Sequence, residues 1–102
     1  MHPHEFTVLG KDVRGPSRKL ELFPKPAGVE HVTLESDEGT SLCPVTGQPD
    51  WSTVIIEYAP DEHCLESKSL KLYLWSFREE GIFCEALADR IAQDVQAACK
   101  PH

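Results

Sequence analysis

The run Ser41-Leu42-Cys43-Pro44-Val45-Thr46-Gly47-Gln48-Pro49-Asp50 leaves the backbone fewer options than any other stretch of the chain. Pro44 and Pro49 each fix a φ angle and remove a backbone donor, and Gly47 permits the positive φ that a tight reversal needs. Helix and central strand are both poor fits, so the run is read as a shaped loop. Strand patterns flank it. Val29 to Glu35 interleaves Val and Leu with polar residues and ends at Asp37-Glu38-Gly39; Ser52 to Tyr58 is rich in β-branched residues and stops at Ala59-Pro60-Asp61-Glu62. Two strands around one loop predict an antiparallel pair, with Cys43 and Asp50 near one end and Trp51 at the start of the second strand. The loop thus presents a thiol and a carboxylate seven residues apart. A thiolate is a nucleophile, and a carboxylate across a turn could take its proton or donate one to a product. The competing reading is a small buried hydrophobe at Cys43 and a turn residue at Asp50.

At 102 residues the chain has room for one domain, residues 1–102, with a limited core, so a homo-oligomer is expected. A formal charge of −7 argues against nucleic-acid and membrane-surface partners, and any phosphate site must be local. No apolar run approaches the roughly 18 residues of a membrane-spanning helix. Met1-His2-Pro3-His4-Glu5 has neither the basic start nor the apolar core of a signal peptide, and a cytoplasmic location is expected. Cys43, Cys64, Cys84 and Cys99 are spaced by 21, 20 and 15 residues with no C-x-x-C, which favours reduced thiols. A zinc site from His63-Cys64 with Cys43 and Cys84 is disfavoured by that spacing, and no metal is expected.

Residues 1–27 read as an N-terminal arm ahead of a core over 28–102. Phe6-Thr7-Val8-Leu9 and Leu20-Glu21-Leu22-Phe23 are short strand-like runs with Phe6 and Phe23 as anchors, interrupted by Gly and Pro. Between Leu65 and Arg78 a helical projection puts Leu70, Tyr73, Leu74 and Phe77 on one face and Lys68, Lys71, Trp75 and Arg78 on another. The basic face is either a solvated surface or a site for a polyanion such as a phosphorylated dinucleotide. Neither G-x-G-x-x-G nor a P-loop is present. After Glu79-Glu80-Gly81, a second helix is predicted from about Phe83 to Ala98, with Cys84, Leu87, Ala88, Ile91, Val95 and Ala98 on its packing face. Cys84 is expected in the core. Glu85, in the first turn, either complements the positive end of the helix or offers an acceptor pair to N–H donors of a heterocycle.

Three motifs now stand in order: Thr-Ser-Leu-Cys-Pro-Val-Thr-Gly-Gln-Pro-Asp from Thr40, Glu-Ser-Lys-Ser-Leu-Lys-Leu-Tyr-Leu-Trp-Ser-Phe-Arg from Glu66, and Phe-Cys-Glu ending at Glu85. Together they resemble the nitrile reductase family of queuosine biosynthesis, the NADPH-dependent 7-cyano-7-deazaguanine reductases of the short, single-module type. The resemblance implies that Cys43 attacks the nitrile carbon to form a covalent thioimide and that Asp50 transfers a proton to the nitrogen. It implies that Glu85, with Glu66 and Ser67, binds 7-cyano-7-deazaguanine, and that Ser67, Lys68, Ser69, Lys71 and Arg78 bind the NADPH cofactor. The product would be the aminomethyl base, formed with two NADPH.

The implied fold is α+β, the tunnelling fold, with antiparallel strands, two antiparallel helices and barrels of subunits, often decamers of two pentamers with active sites between subunits. Two features depart from the family. Many relatives have His at the position of Cys84, and the family continues past the second helix with two strands not found here, so the sequence is expected to be the ordered part of a longer chain. Two other functions share these residues: an amidinotransferase that makes archaeosine from the same nitrile in transfer RNA, and a non-catalytic purine-binding module.

Overall fold

A computed structural model describes residues 15–102. The strand-like run at Phe6 to Leu9 and the anchor at Phe6 lie outside the described residues. The elements are β1 (Leu22–Pro24), β2 (Val32–Leu42), β3 (Pro49–Tyr58), β4 (His63–Leu65), α1 (Ser67–Trp75) and α2 (Cys84–Cys99). They form an α+β arrangement of two antiparallel strand pairs, β2 with β3 and β1 with β4, and two helices.

The β2–β3 ribbon is longer than the sequence pattern predicts. Asp37-Glu38-Gly39 does not end β2: the register runs from Val32↔Tyr58 to Ser36↔Val54, shifts, and resumes from Gly39↔Ser52 to Leu42↔Pro49. Three steps on β2 match two on β3, which is a bulge with one extra residue. Gly39 marks a close approach and not a stop. A Cβ there would lie 2.6 Å from Ser52 Oγ and 2.7 Å from Ser52 O. Pro49, read as part of the loop, is the first residue of β3, a position that tolerates its missing N–H.

Helix α1 is capped by Glu66, whose carboxylate accepts hydrogen bonds from the N–H groups of Lys68 and Ser69, each at 2.7 Å. Its predicted packing face is buried at Leu70, Tyr73, Leu74 and Phe77, and Lys68, Lys71, Trp75 and Arg78 are exposed. The helix stops at Trp75, earlier than the pattern suggests. Tight bonds from Phe77 N to Leu74 O and from Arg78 N to Trp75 O then carry Phe77 into the core.

The stripe of α2 that enters the core is Leu87, Ile91, Val95 and Cys99. Cys84, expected in the core, is exposed, as is Ala88. Both stand on the flank of α2 that borders β3, where no element covers them among the described residues. The arm is fastened by polar contacts more than by the predicted aromatic anchor, since Phe23 is only partly buried. Ser69, fully buried, accepts from Glu21 N at 2.9 Å and donates to Glu66 O at 2.9 Å. The Arg18 guanidinium lies over the Phe77 ring at 3.9 Å and pairs with Glu80 at 2.7 Å. Among the described residues no helix is long and apolar enough to cross a membrane.

Gly39→Ala tests the bulge. The added methyl group must push the two strands apart, and a loss of about 1–3 kcal/mol is expected from the midpoint of urea unfolding.

Candidate active site

Cys43 directly follows β2, and its own backbone closes the loop. Its N–H donates to Gln48 O and its carbonyl accepts from Gly47 N, both at 2.8 Å, with Gly47 at φ 74°. Two of the residues between, Val45 and Thr46, turn donors back on the sulfur. Hydrogen bonds from the Thr46 hydroxyl, the Thr46 N–H and the Val45 N–H lower the thiol pKa below its ordinary value, while slight desolvation and the negative charge of Asp50 oppose this. Among the other cysteines, burial pushes the Cys99 thiol up. Asp50 pairs with Ser41 in the ladder, so alternation puts Ser41, Cys43 and Asp50 on one face of the ribbon. The arrangement can hold a thiolate and pass a proton beside it.

A second backbone pairing brings α2 to this loop. Leu42 N donates to Glu80 O at 2.9 Å, and Ile82 N donates to Leu42 O at 3.0 Å, a parallel bridge centred on Gly81. Gly81 lies against the loop, where a Cβ would make an ordinary contact 3.6 Å from Pro44 Cα, and the Ser41 hydroxyl donates to Ile82 O at 3.3 Å. Two residues on, α2 begins with no side-chain cap, and exposed Glu85 occupies its first turn. A carboxylate there complements the unpaired N–H groups of the helix start and remains open to a ligand.

The residues expected along α1 divide into three groups. Glu66 and Ser69 are buried and engaged in the cap and the arm contact. Ser67 and Lys68 are exposed in the first turn. Lys71 and Arg78 open on a cleft of about 540 Å³ whose other walls include Asp37, Glu38, Thr40, Trp51 and Trp75. Cys43 and Asp50 do not line it. The structure therefore brings Cys43 together with Asp50, and Lys71 with Arg78, without joining the two pairs in one cleft. His63, Cys64, Cys43 and Cys84 do not converge on a metal position, since no group of three or more candidate ligands does so among the described residues.

Sequence reasoning missed Thr46 and the facing of Trp51 by Trp75. The first had a signal, a hydroxyl three residues after a cysteine and just before the turn glycine. The second depends on strand register and had none.

A family model described as QueF-like protein matches residues 49–102, more than half of the chain. The chain belongs to the QueF-like family. Within it, a relative from Syntrophus aciditrophicus named NADPH-dependent 7-cyano-7-deazaguanine reductase is 54% identical over 98 residues, covering 94% of this chain and 69% of that protein. Relatives of the same name from Anaeromyxobacter dehalogenans and Nitrosospira multiformis are 52% and 50% identical over 88 residues, 84% of this chain and 72% and 63% of theirs. This QueF-like chain thus spans roughly two thirds of the length of the relatives it matches.

The environment of Cys43 predicts two opposite shifts in the pH profile of its alkylation by iodoacetamide, read by peptide mass. Thr46→Val, which removes a donor to the sulfur, moves the profile to higher pH. Asp50→Asn, which removes the neighbouring negative charge, moves it to lower pH.

Proposed function

We propose that this chain reduces the nitrile of 7-cyano-7-deazaguanine to the aminomethyl group with NADPH, through a covalent thioimide on Cys43, in the biosynthesis of queuosine. The observation that carries this is the Cys43 thiol, favoured as thiolate by the donors of its own turn and set beside Asp50. The names of the relatives supply the substrate and the cofactor.

The thiolate attacks the nitrile carbon, a C–S bond forms, and one electron pair of the triple bond moves to nitrogen, which takes a proton from Asp50. That step turns an unreactive triple bond into a polarised C=N bond. NADPH, when bound, supplies hydride, and the four-electron change from nitrile to amine requires two. Exposed Lys68, Lys71 and Arg78 present three cations on one side of α1 and fit the phosphates of such a cofactor. Ser67 offers a hydroxyl in the same turn, while Glu66 and Ser69 fix the geometry of that turn. Glu85 accepts from the N–H edge of the base.

The reading extends to the assembly. Residues 1–102 form one tunnelling-fold domain that assembles with copies of itself, as a decamer of two pentamers, with active sites between subunits. The separation of Cys43 from the cationic cleft within one chain supports a site completed by a neighbour. The net charge of −7 supports a small-molecule substrate, with no nucleic acid bound, and a cytoplasmic setting.

Mixing the protein with 7-cyano-7-deazaguanine alone is expected to add the mass of the nitrile and give a near-ultraviolet thioimide band, both lost in Cys43→Ala. Adding NADPH removes the adduct. An adduct that NADPH leaves untouched would point to the amidinotransferase, and none at all to a binding module. The double change Lys68→Ala, Lys71→Ala is expected to raise the KM for NADPH about tenfold or more, as loss of charge-assisted contacts does, with the adduct still formed.

A further inference from the structure

Between the bulge of β2 and the outer face of α1 lies the cleft of about 540 Å³ that Lys71 and Arg78 share with Trp51 and Trp75. We propose that this cleft binds the adenosine 2′-phosphate end of the cofactor, with the tryptophans as stacking walls and Arg78 as the group that distinguishes NADPH from NADH. The inference rests on the reductase reading and adds residues to it. Its volume falls within the roughly 300–1,000 Å³ of small-molecule sites.

Trp51 is 74% exposed and Trp75 40% exposed. Tryptophan is highly buried on average, so two of them open on one cleft make a surface suited to a flat ring, and purine bases stack on aromatic side chains. The charges are arranged to match. Asp37 accepts from the Thr53 hydroxyl at 3.1 Å, and Glu38 lies 3.9 Å from Lys71, so each carboxylate has a partner. Arg78 has no ion-pair partner among the described residues, and its planar fork suits a phosphate monoester. The reactive end of the cofactor must approach the carbon bonded to Cys43, and within one chain no residue from Cys43 to Asp50 lines this cleft. The phosphorylated adenosine is the part left to occupy it.

The chain has two tryptophans and both line the cleft, so tryptophan fluorescence, excited selectively over that of Tyr58 and Tyr73, reports on this site. Adenosine 2′,5′-bisphosphate is expected to quench it saturably and to bind about tenfold tighter than adenosine 5′-monophosphate, the effect of one charge-assisted contact. Arg78→Gln removes that preference and Arg78→Lys restores part of it. Trp75→Leu weakens both ligands about tenfold by calorimetry, with an unchanged thermal melt. An unquenched signal while calorimetry detects NADPH binding overturns the proposal, as does a 2′-phosphate preference that survives Arg78→Gln. Quenching by the bisphosphate in a protein that forms no nitrile adduct keeps the cleft and removes the reductase reading, so the two fail separately.

Discussion

At Leu42 the chain is held from two sides: its neighbour Cys43 donates to Gln48 O across the end of the β2–β3 pair, and Leu42 itself donates to Glu80 O and accepts from Ile82 N in the segment around Gly81. The second set of bonds joins parts of the chain that share no other regular pairing. On one side is the ribbon that carries Cys43 and Asp50; on the other is the connection from α1 to α2. Because residues 80–82 are tied to Leu42, the end of α1, the cysteine loop and the first turn of α2 keep fixed positions relative to one another. The loop needs little else to hold its shape, since its remaining bonds are internal.

The Glu66 to Arg78 stretch serves architecture as well as the ligand proposed for it. The family resemblance makes ligand residues of Glu66 and Ser69, grouped with Ser67, Lys68 and Lys71. In the fold the carboxylate of Glu66 caps α1, and the Ser69 hydroxyl joins the arm to the helix with no accessible surface. Glutamate is a less common cap than serine or aspartate. Its longer side chain reaches two N–H groups at 2.7 Å here, which holds the exposed Ser67–Lys68 pair in a defined turn. A polar cluster that reads as a binding motif can thus be partly structural, with Glu66 and Ser69 turned to the fold.

What the sequence made legible follows from how local each signal is. The antiparallel ribbon, the loop at 43–48 and both helices were readable because prolines, glycine and hydrophobic period are local. Each predicted packing residue of α1 is buried, and Ser69 and Leu72 are buried with them. Reading failed where a distant partner decides the outcome. Asp37-Glu38-Gly39 resembles a turn until Ser52 lies against Gly39, and β4 is three residues long and exists because Leu22 to Pro24 pairs with it. Cys84 fits an apolar stripe by angle, yet the core does not extend to the start of α2. At the site, Cys43 and Asp50 were legible as a pair, whereas the contribution of Thr46 requires the turn itself.

The extra residue in β2 also sets a phase. Before it, the even-numbered positions Val32, Leu34 and Ser36 face inward; after it, the odd-numbered Gly39 and Ser41 do, while β3 keeps even positions inward throughout from Ser52 to Tyr58. A ribbon without that residue would carry the first parity to its end, and the sulfur of Cys43 would emerge on the reverse side from the carboxylate of Asp50. A one-residue miscount ahead of the cysteine acts as the indexing step that sets its thiol on the same side as the Asp50 carboxylate.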